Sequence, residues 1–266
     1  MLTNMMSRIL VIMLVTVITA CSSTSEKDDN SRTDEDFYKA GKKALDIGDY
    51  DTAIKEFESL EARYPFGVYS QQAQMDIAYA YYRNDDPDAA ISAADRFIKL
   101  YPRHEHVDYM YYLRGLARFN QGYGFFEHKF SLDITQRDPR TKREAFQYFS
   151  ELVTKFPDSK YVPDARQRMI YLRNELAEHE IHVADYYMKR GAYVAAVNRA
   201  KYIIEVLPET PAVADALAVL ADAYRELGID DLAADALRVL ELNYPDHPAL
   251  KKNRRHGLHG NRQSDS

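Results

Sequence analysis

Apolar residues recur along most of this chain at the spacing of amphipathic helices. Between residues 53 and 60 they stand at positions 53, 54, 57 and 60, and between 216 and 224 at positions 216, 217, 220, 221 and 224. Intervals of three and four residues place such side chains on one face of a helix. No segment keeps the alternation of a half-buried strand, so the pattern predicts an all-α body.

The helical pattern is divided by a set of regularly placed small residues and prolines. Five prolines each have an alanine twelve residues before them and a large apolar residue five residues before them. The prolines are Pro65, Pro102, Pro157, Pro208 and Pro245. The alanines are Ala53, Ala90, Ala145, Ala196 and Ala233. The apolar residues are Leu60, Phe97, Leu152, Ile203 and Leu240. A unit that recurs in this way indicates a repeat protein.

The recurring unit resembles the tetratricopeptide repeat, which has an Ala-x₃-Phe motif and a closing proline. Proline ends the second helix of a hairpin because it lacks an N–H group and clashes with the preceding turn. Gly48, Gly191 and Gly228 occupy one shared turn position, and Asp85 takes that position in the second repeat. The resemblance implies an all-α tetratricopeptide-repeat solenoid of five helical hairpins. We place it over 37–250, with an N-terminal half at 37–157 and a C-terminal half at 158–250.

The spacing of the prolines also predicts two irregularities in the middle of the chain. The outer intervals are both 37 residues, whereas the inner ones are 55 and 51 residues. Glycine and proline between Asn120 and Thr141 predict a loop that extends through Pro139 and Arg140. Neither residue type occurs between Asp164 and Arg190, so that stretch predicts one unusually long helix.

The N-terminus predicts a lipoprotein signal. A single positive charge at Arg8 precedes a 12-residue apolar run that ends at Ala20. This run is too short for a spanning helix, which needs roughly 20 apolar residues. The run closes on Ile18-Thr19-Ala20-Cys21, which resembles the lipobox of bacterial lipoproteins. The resemblance implies an acylated Cys21 after cleavage; the alternative is an incidental or buried cysteine.

This interpretation divides the ends of the chain as follows. Residues 1–20 are the signal peptide, 21–36 a polar flexible tether and 251–266 a basic flexible tail. Position 22 holds serine, and not the aspartate that retains many such lipoproteins at the inner membrane. We therefore expect a protein that is lipid-anchored in the outer membrane and faces the periplasm.

Composition excludes several classes of function. A single cysteine among 266 residues excludes an intrachain disulfide framework and a four-thiolate zinc site. A formal net charge of −6 argues against nucleic-acid binding. We find no catalytic motif, and His179 and His182 lack a third metal ligand in the pattern. We expect no enzyme, no metal and no cofactor; an enzyme with an unrecognised site is the alternative.

The 21 tyrosines offer a candidate binding surface. In tetratricopeptide solenoids the first helix of each hairpin lines the concave surface. The corresponding positions of repeats two and three hold Gln72, Tyr79, Tyr82, Arg83, Tyr109 and Tyr112. Aromatic rings with a nearby arginine suit an extended peptide that carries aromatic side chains and a terminal carboxylate. For any one tyrosine, packing in the core is an equally good interpretation.

Several further segments, taken in order, resemble the BamD (ComL) family of outer-membrane assembly lipoproteins. They are Arg63-Tyr64-Pro65-Phe66-Gly67, Tyr69-Ser70-Gln71-Gln72, Ala78-Tyr79-Ala80-Tyr81-Tyr82, Asp95-Arg96-Phe97-Ile98, Arg114-Gly115-Leu116, Arg137-Asp138-Pro139 and the run from Arg190 to Arg199. Together with the lipobox they span nearly the whole chain. The basic tail from Lys251 to Arg262 continues past the usual end of the family.

The resemblance implies a scaffold subunit of the machinery that inserts β-barrel proteins into the outer membrane. It implies that the C-terminal half binds the POTRA domains of BamA. It also implies that the N-terminal repeats bind the C-termini of unfolded outer-membrane proteins, and that other assembly lipoproteins are further partners. Carried over to this sequence, the substrate groove adds Tyr64, Phe66, Tyr69 and Arg96 to the residues above. The partner interface comprises Tyr193, Asn198 and Arg199, the last opposite a POTRA carboxylate. A pilotin or a peptidoglycan-linked adaptor is the alternative.

Overall fold

The computed structural model describes residues 31–121 and 139–251. The described residues form ten helices and contain no strand. The helices are α1 (Asp34–Asp46), α2 (Tyr50–Arg63), α3 (Ser70–Arg83), α4 (Pro87–Leu100), α5 (Val107–Asn120), α6 (Pro139–Lys155), α7 (Val162–Lys189), α8 (Tyr193–Val206), α9 (Ala212–Glu226) and α10 (Asp230–Asn243). They pair in chain order as five helical hairpins. The prediction of an all-α tetratricopeptide-type repeat protein is confirmed.

The residues that define the repeat occupy the positions that their chemistry requires. The five repeat alanines are buried, as are the five large apolar residues, and each group lies on the second helix of its hairpin. Each repeat proline follows the last helical residue by two positions. The backbone φ is positive at Gly48, Gly191 and Gly228 and also at Asp85, the equivalent position of the second hairpin. Aspartate is among the few side chains that adopt this conformation at modest cost.

The chain divides into two compact units, one ending at Ala73 and the other beginning at Gln74, within α3. In the first unit, α1 packs on α2 around the buried rings of Phe37 and Phe57. In the second unit, α5 packs on α4 and α6, and α7 packs on α6, α8 and α9. Among residues 31–121 and 139–251, no helix is both long and apolar enough to pass through a bilayer.

Three boundaries differ from the predicted ones. Helix α1 begins at Asp34, before the predicted end of the tether at residue 36, because Thr33 and Asp36 cap it reciprocally. Pro139 and Arg140 belong to α6 and not to the predicted loop, since proline fits the first turn of a helix. Lys251 is helical. The signal peptide, Cys21, most of the predicted loop and the rest of the basic tail lie outside the described residues.

The long helix predicted between residues 164 and 190 is present. Helix α7 runs for 28 residues, twice the length of most of its neighbours. Buried residues recur along it from Val162 to Ala184, including one charged residue, Glu180. Because α7 belongs to the fourth hairpin and also contacts α6 and α9, it joins the third, fourth and fifth hairpins of the chain, all of which lie in the second unit.

Candidate functional site

Four of the predicted groove residues come together on α3 and α5 of the second unit. The ring centroids of Tyr79 and Tyr82 lie 6.3 Å apart. Nη1 of Arg83 donates a hydrogen bond to the Tyr79 hydroxyl at 2.7 Å, and the guanidinium lies 5.7 Å from the centre of the same ring. Both tyrosines lie close enough to Tyr109 to contribute to the rise of its pKa. We call Tyr79, Tyr82, Arg83 and Tyr109 the tyrosine face.

Tyr109 is a partly buried member of the tyrosine face. Burial is the main cause that raises its pKa, and the neighbouring Tyr79, Tyr161 and Asp76 act in the same direction. Asp76 is a buried carboxylate on α3. The phenol of Tyr109 is therefore neutral at physiological pH and available as a hydrogen-bond donor.

Tyr112 has a different environment, in which its side chain is already engaged on several sides. Its ring stacks on Tyr161 with centroids 4.7 Å apart, and its hydroxyl donates to Oδ2 of Asp164 at 2.6 Å. Nε of Arg168 donates to the same oxygen, also at 2.6 Å. The stack and the Tyr112–Asp164 hydrogen bond tie α5 to the start of α7, and Arg168 orients that carboxylate from within α7. The geometry therefore favours a packing role for Tyr112.

The pKa values around Tyr112 follow from this network. Burial, followed by the hydrogen bond to Asp164, raises the pKa of Tyr112 to about 12. Burial acts to raise the pKa of Asp164 as well, but the hydrogen bonds from Arg168 and Tyr112 outweigh it and hold that pKa below its ordinary value. The carboxylate is therefore ionised and the phenol neutral across the physiological range.

Sequence reasoning missed several residues of this region, namely Asp76, Tyr161, Asp164 and Arg168. Tyr161 is the residue that precedes α7 and so lies outside the repeat positions that were compared. The Asp164 and Arg168 pair is separated by four residues, a spacing that brings opposite charges together on a helix. That spacing was visible in the sequence, but nothing local indicates that Tyr112 meets it.

Three predicted groove residues belong to the first unit, at the connection between α2 and α3. Tyr64 donates its hydroxyl to the Arg32 carbonyl at 2.7 Å, and Tyr69 stacks on Tyr38 with centroids 4.8 Å apart. These two rings are thus part of the packing of that unit. Phe66 has 98% of its surface exposed.

The two remaining polar groove residues, Gln72 and Arg96, are both exposed. Gln72 is exposed in the part of α3 that belongs to the first unit. Arg96 is exposed on α4, the second helix of its hairpin, and not on the helices that carry the tyrosines. Within one unit, the structure therefore assembles the tyrosine face from the predicted set and places Tyr112 beside it.

The predicted partner interface contains an internal ion cluster. Nη1 of Arg199 lies 3.0 Å from Oε2 of Glu180, and Nη2 of Arg143 lies 3.3 Å from Oε1. The Glu180 side chain is only 4% exposed, whereas the side chains of Arg143 and Arg199 are 43% and 44% exposed. We call these three residues the Glu180 triad. Its one carboxylate and two guanidinium groups give a net positive charge at the surface.

The other two predicted interface residues lie on the same helix, α8, as Arg199. Tyr193 begins the helix, and a hydrogen bond with Glu226 at the end of α9 raises its pKa. Asn198 is exposed next to Arg199. Burial acts to lower the pKa of Arg199, but its hydrogen bonds to Glu180 and Tyr187 raise it overall. Arg199 is therefore a permanently charged, partly exposed cation.

The described residues offer no metal centre. His179 and His182 lie on α7, the first half-buried and the second exposed. Within 31–121 and 139–251, no group of three or more histidine, cysteine, aspartate or glutamate residues is arranged to hold a metal ion.

Comparison with known proteins gives matches over nearly the whole chain. The model of the YfiO family, described as "Outer membrane lipoprotein", matches residues 30–240. "Outer membrane protein assembly factor BamD" of Neisseria meningitidis serogroup B is 43% identical over 249 residues, which are 92% of this chain and 93% of that protein. The protein of the same name from Xylella fastidiosa is 39% identical over 246 residues, covering 91% of this chain and 84% of its own. Among solved structures, the MamA protein is 16% identical with a TM-score of 0.34, covering 78% of this chain and 90% of its own.

Proposed function

Because the chain belongs to the YfiO family of outer membrane lipoproteins, we propose that it is an assembly factor for outer-membrane proteins. The observation that carries this proposal is the near full-length similarity to proteins that bear the name of such a factor. The function is binding and not catalysis: the protein is a scaffold that holds substrates and partner subunits at the membrane.

The tyrosine face is the proposed substrate site. Its exposed Arg83 can pair with a terminal carboxylate, and its three rings offer stacking surfaces to aromatic side chains of an extended peptide. Because Tyr79 accepts a hydrogen bond from Arg83, the cation is held beside the rings before a ligand arrives. The ligand class that fits is the unfolded C-terminus of an outer-membrane protein that ends in an aromatic residue.

The Glu180 triad is the proposed contact for a second partner. Its net positive charge and the exposed fraction of Arg199 suit a carboxylate on a partner domain. Following the family resemblance, we assign that partner as the POTRA domains of BamA, with other assembly lipoproteins as additional subunits. Tyr193 and Asn198 border the contact on α8.

The proposed anchor is an acylated Cys21, which places the body at the periplasmic face of the outer membrane. Stable attachment takes more than one acyl chain. Tethering raises the effective concentration of both binding surfaces at the membrane, so individually weak contacts are sufficient.

Purification with the lipid anchor intact, from mildly solubilised membranes, tests the assembly role. Recovery of a POTRA-containing barrel protein supports it. Recovery of secretins or of cell-wall enzymes in its place refutes it and favours a pilotin or a peptidoglycan-linked adaptor.

Crosslinking tests the substrate site. A photo-reactive residue at position 79 or 82 should capture a peptide that ends in phenylalanine, and Arg83→Gln should reduce that capture. Arg238→Gln is the matched control, because Arg238 is also exposed and also has an intrahelical partner, Asp235. Equal loss in both variants would exclude the tyrosine face as the substrate site. The same conclusion would follow if the photo-reactive residue captured the peptide only when placed on α8 to α10.

A further inference from the structure

The connection between α2 and α3 carries two large apolar side chains that project into solvent. Phe66 is 98% exposed and Val68 is 89% exposed, higher fractions than those of the other exposed large hydrophobic residues in the described chain. Two large apolar side chains exposed this fully and placed two residues apart form a small apolar patch, which is a candidate for contact with another surface. We call residues 64–70 the entry loop.

The exposure of Phe66 and Val68 is built into the entry loop. Ser70 is 1% exposed, and its hydroxyl donates to the Pro65 carbonyl at 2.8 Å. The amide of Gly67 donates to the Tyr64 carbonyl and the amide of Ser70 to the Gly67 carbonyl, both at 3.0 Å. These bonds shape the turns of the loop backbone, and the described residues leave the two apolar side chains between them almost fully uncovered.

The entry loop lies at the point where the chain enters the first unit. The Tyr64 hydroxyl bonds to the carbonyl of Arg32, immediately before the N-cap of α1. At Gly67, a Cβ atom would stand 2.8 Å from Oδ2 of Asp34, so the loop backbone packs closely against the first turn of α1. The exposed side chains therefore occupy the end of the first hairpin at which the preceding chain arrives.

Chain length then limits how far this end can lie from the membrane. Ten peptide steps separate Cys21 from Ser31, and a fully extended chain spans at most about 3.6 Å per residue, or about 36 Å here. The turn at Ile47 is at the other end of the hairpin, farther along the 13 residues of α1, or about 20 Å. Of the two ends, the entry loop is the one that lies beside Arg32 and Asp34, where the tether joins the unit, and it is therefore the end nearer the anchor along the chain.

We propose that Phe66 and Val68 insert into the interface of the lipid leaflet that holds the anchor. The proposal rests on the lipid anchor of the proposed function and adds a second, orienting contact with the membrane. A peptide fits this location less well, because two protruding side chains form a tip and not the concave site that encloses a ligand. A tip with an aromatic ring suits the boundary between headgroups and acyl chains.

The test places a polarity-sensitive fluorophore on the lipidated full chain. Acylated Cys21 has no free thiol, so Phe66→Cys and Val68→Cys each supply a unique labelling site. Ile47→Cys is the matched control, since Ile47 is also apolar, 74% exposed and in the same unit. The vesicles contain phosphatidylethanolamine and phosphatidylglycerol, with or without bromine on the upper acyl chain.

We expect emission at positions 66 and 68 to shift to shorter wavelength and to lose intensity on brominated lipid, with no change at position 47. The same emission at positions 66 and 47 would overturn the proposal. A blue shift at position 66 that appears only with a peptide ending in phenylalanine, and that bromine does not quench, would also overturn the proposal. That result would make the entry loop a peptide site. Flotation with the vesicles distinguishes failure of the lipid anchor from failure of the loop insertion. A chain that does not float refutes both the anchor and the insertion. A chain that floats, but whose fluorophore at positions 66 and 68 is not quenched, refutes the insertion alone.

Discussion

Charge reversal at Arg199 is the most direct test of the Glu180 triad. Arg199→Glu replaces one of two cations that neutralise an almost fully buried carboxylate and adds a second negative charge beside it. We expect this variant to destabilise the fold of α7 and α8 as well as to weaken a contact with a partner. A loss of partner binding in Arg199→Glu alone therefore does not identify an interface.

The magnitude follows from the distances and exposure of the triad. Two unit charges about 4 Å apart interact by about 4 kcal/mol at an effective dielectric constant of 20. Since the Arg199 side chain is 44% exposed, solvent screening reduces this figure by about half. Arg199→Gln, which only removes the attraction to Glu180, should lower the free energy of unfolding by about 1–2 kcal/mol. Arg199→Glu replaces attraction by repulsion and should cost about 3–4 kcal/mol, within the range for breaking a buried ion pair.

Urea unfolding followed by far-ultraviolet circular dichroism measures this difference. The free energy of unfolding falls by about 2 kcal/mol per molar urea, so Arg199→Glu should lower the midpoint of the unfolding transition by about 1.5–2 M urea. Placing the same change in a Glu180→Gln background should remove most of the cost, because the buried negative charge is then absent. Arg238→Glu, at an exposed site on α10, should have little effect. Equal midpoints for Arg199→Glu and Arg199→Gln would refute the reasoning.

Substitutions at three further positions test the packing and titration of the repeats. Gly115→Ala should destabilise by about 1–3 kcal/mol in urea unfolding, because its Cβ would lie 2.4 Å from the fully buried ring of Phe149; an unchanged midpoint would contradict the close approach. Gly191→Ala, which meets no atom within 4 Å but has φ +72°, should cost about 1 kcal/mol through the backbone alone; Gly191→Asn should restore part of it. Tyr112→Phe should cost about 1 kcal/mol by removing the hydrogen bond to Asp164. Folding raises the pKa of the Tyr112 phenol from 10.0 to about 12. The contribution of the neutral phenol to the free energy of unfolding is therefore fully present below pH 10 and is lost as the pH rises through 12. Absorbance titration at alkaline pH should show one phenolate transition fewer near pH 12 in the variant; identical curves would exclude a perturbed Tyr112.

The repeat architecture could be predicted because its signals act locally. Proline ends a helix through its own ring, and a positive φ at a turn selects glycine or, at Asp85, a residue that tolerates it. The repeat alanine is buried in every hairpin, and its small size is evident from the sequence alone. The start of α1 was misplaced although Thr33 and Asp36 form a capping pair, because the polar residues before Phe37 were interpreted as continuous tether.

The interaction surfaces could be predicted less completely because their members come from distant segments. Glu180 is buried between two arginines that lie 37 and 19 residues away in the sequence, and no local pattern indicates that contact. Likewise, Tyr112 was placed in the groove by its repeat position. Its stacking on Tyr161 depends on how α5 meets the start of α7. Periodicity identifies which face of a helix is apolar, but it does not identify which neighbour that face meets.

The two cations proposed to bind partners share one physical arrangement. Arg83 donates to a tyrosine hydroxyl on its own helix, and Arg199 donates to a buried carboxylate on the neighbouring helix. Each guanidinium is thereby oriented before a partner binds, which lowers the conformational entropy lost on association. A guanidinium has five N–H donors in a fixed plane, so one group can satisfy an internal acceptor and an external carboxylate together. Arginine at both positions therefore lets the same side chain stabilise the repeat and present a charge to a ligand.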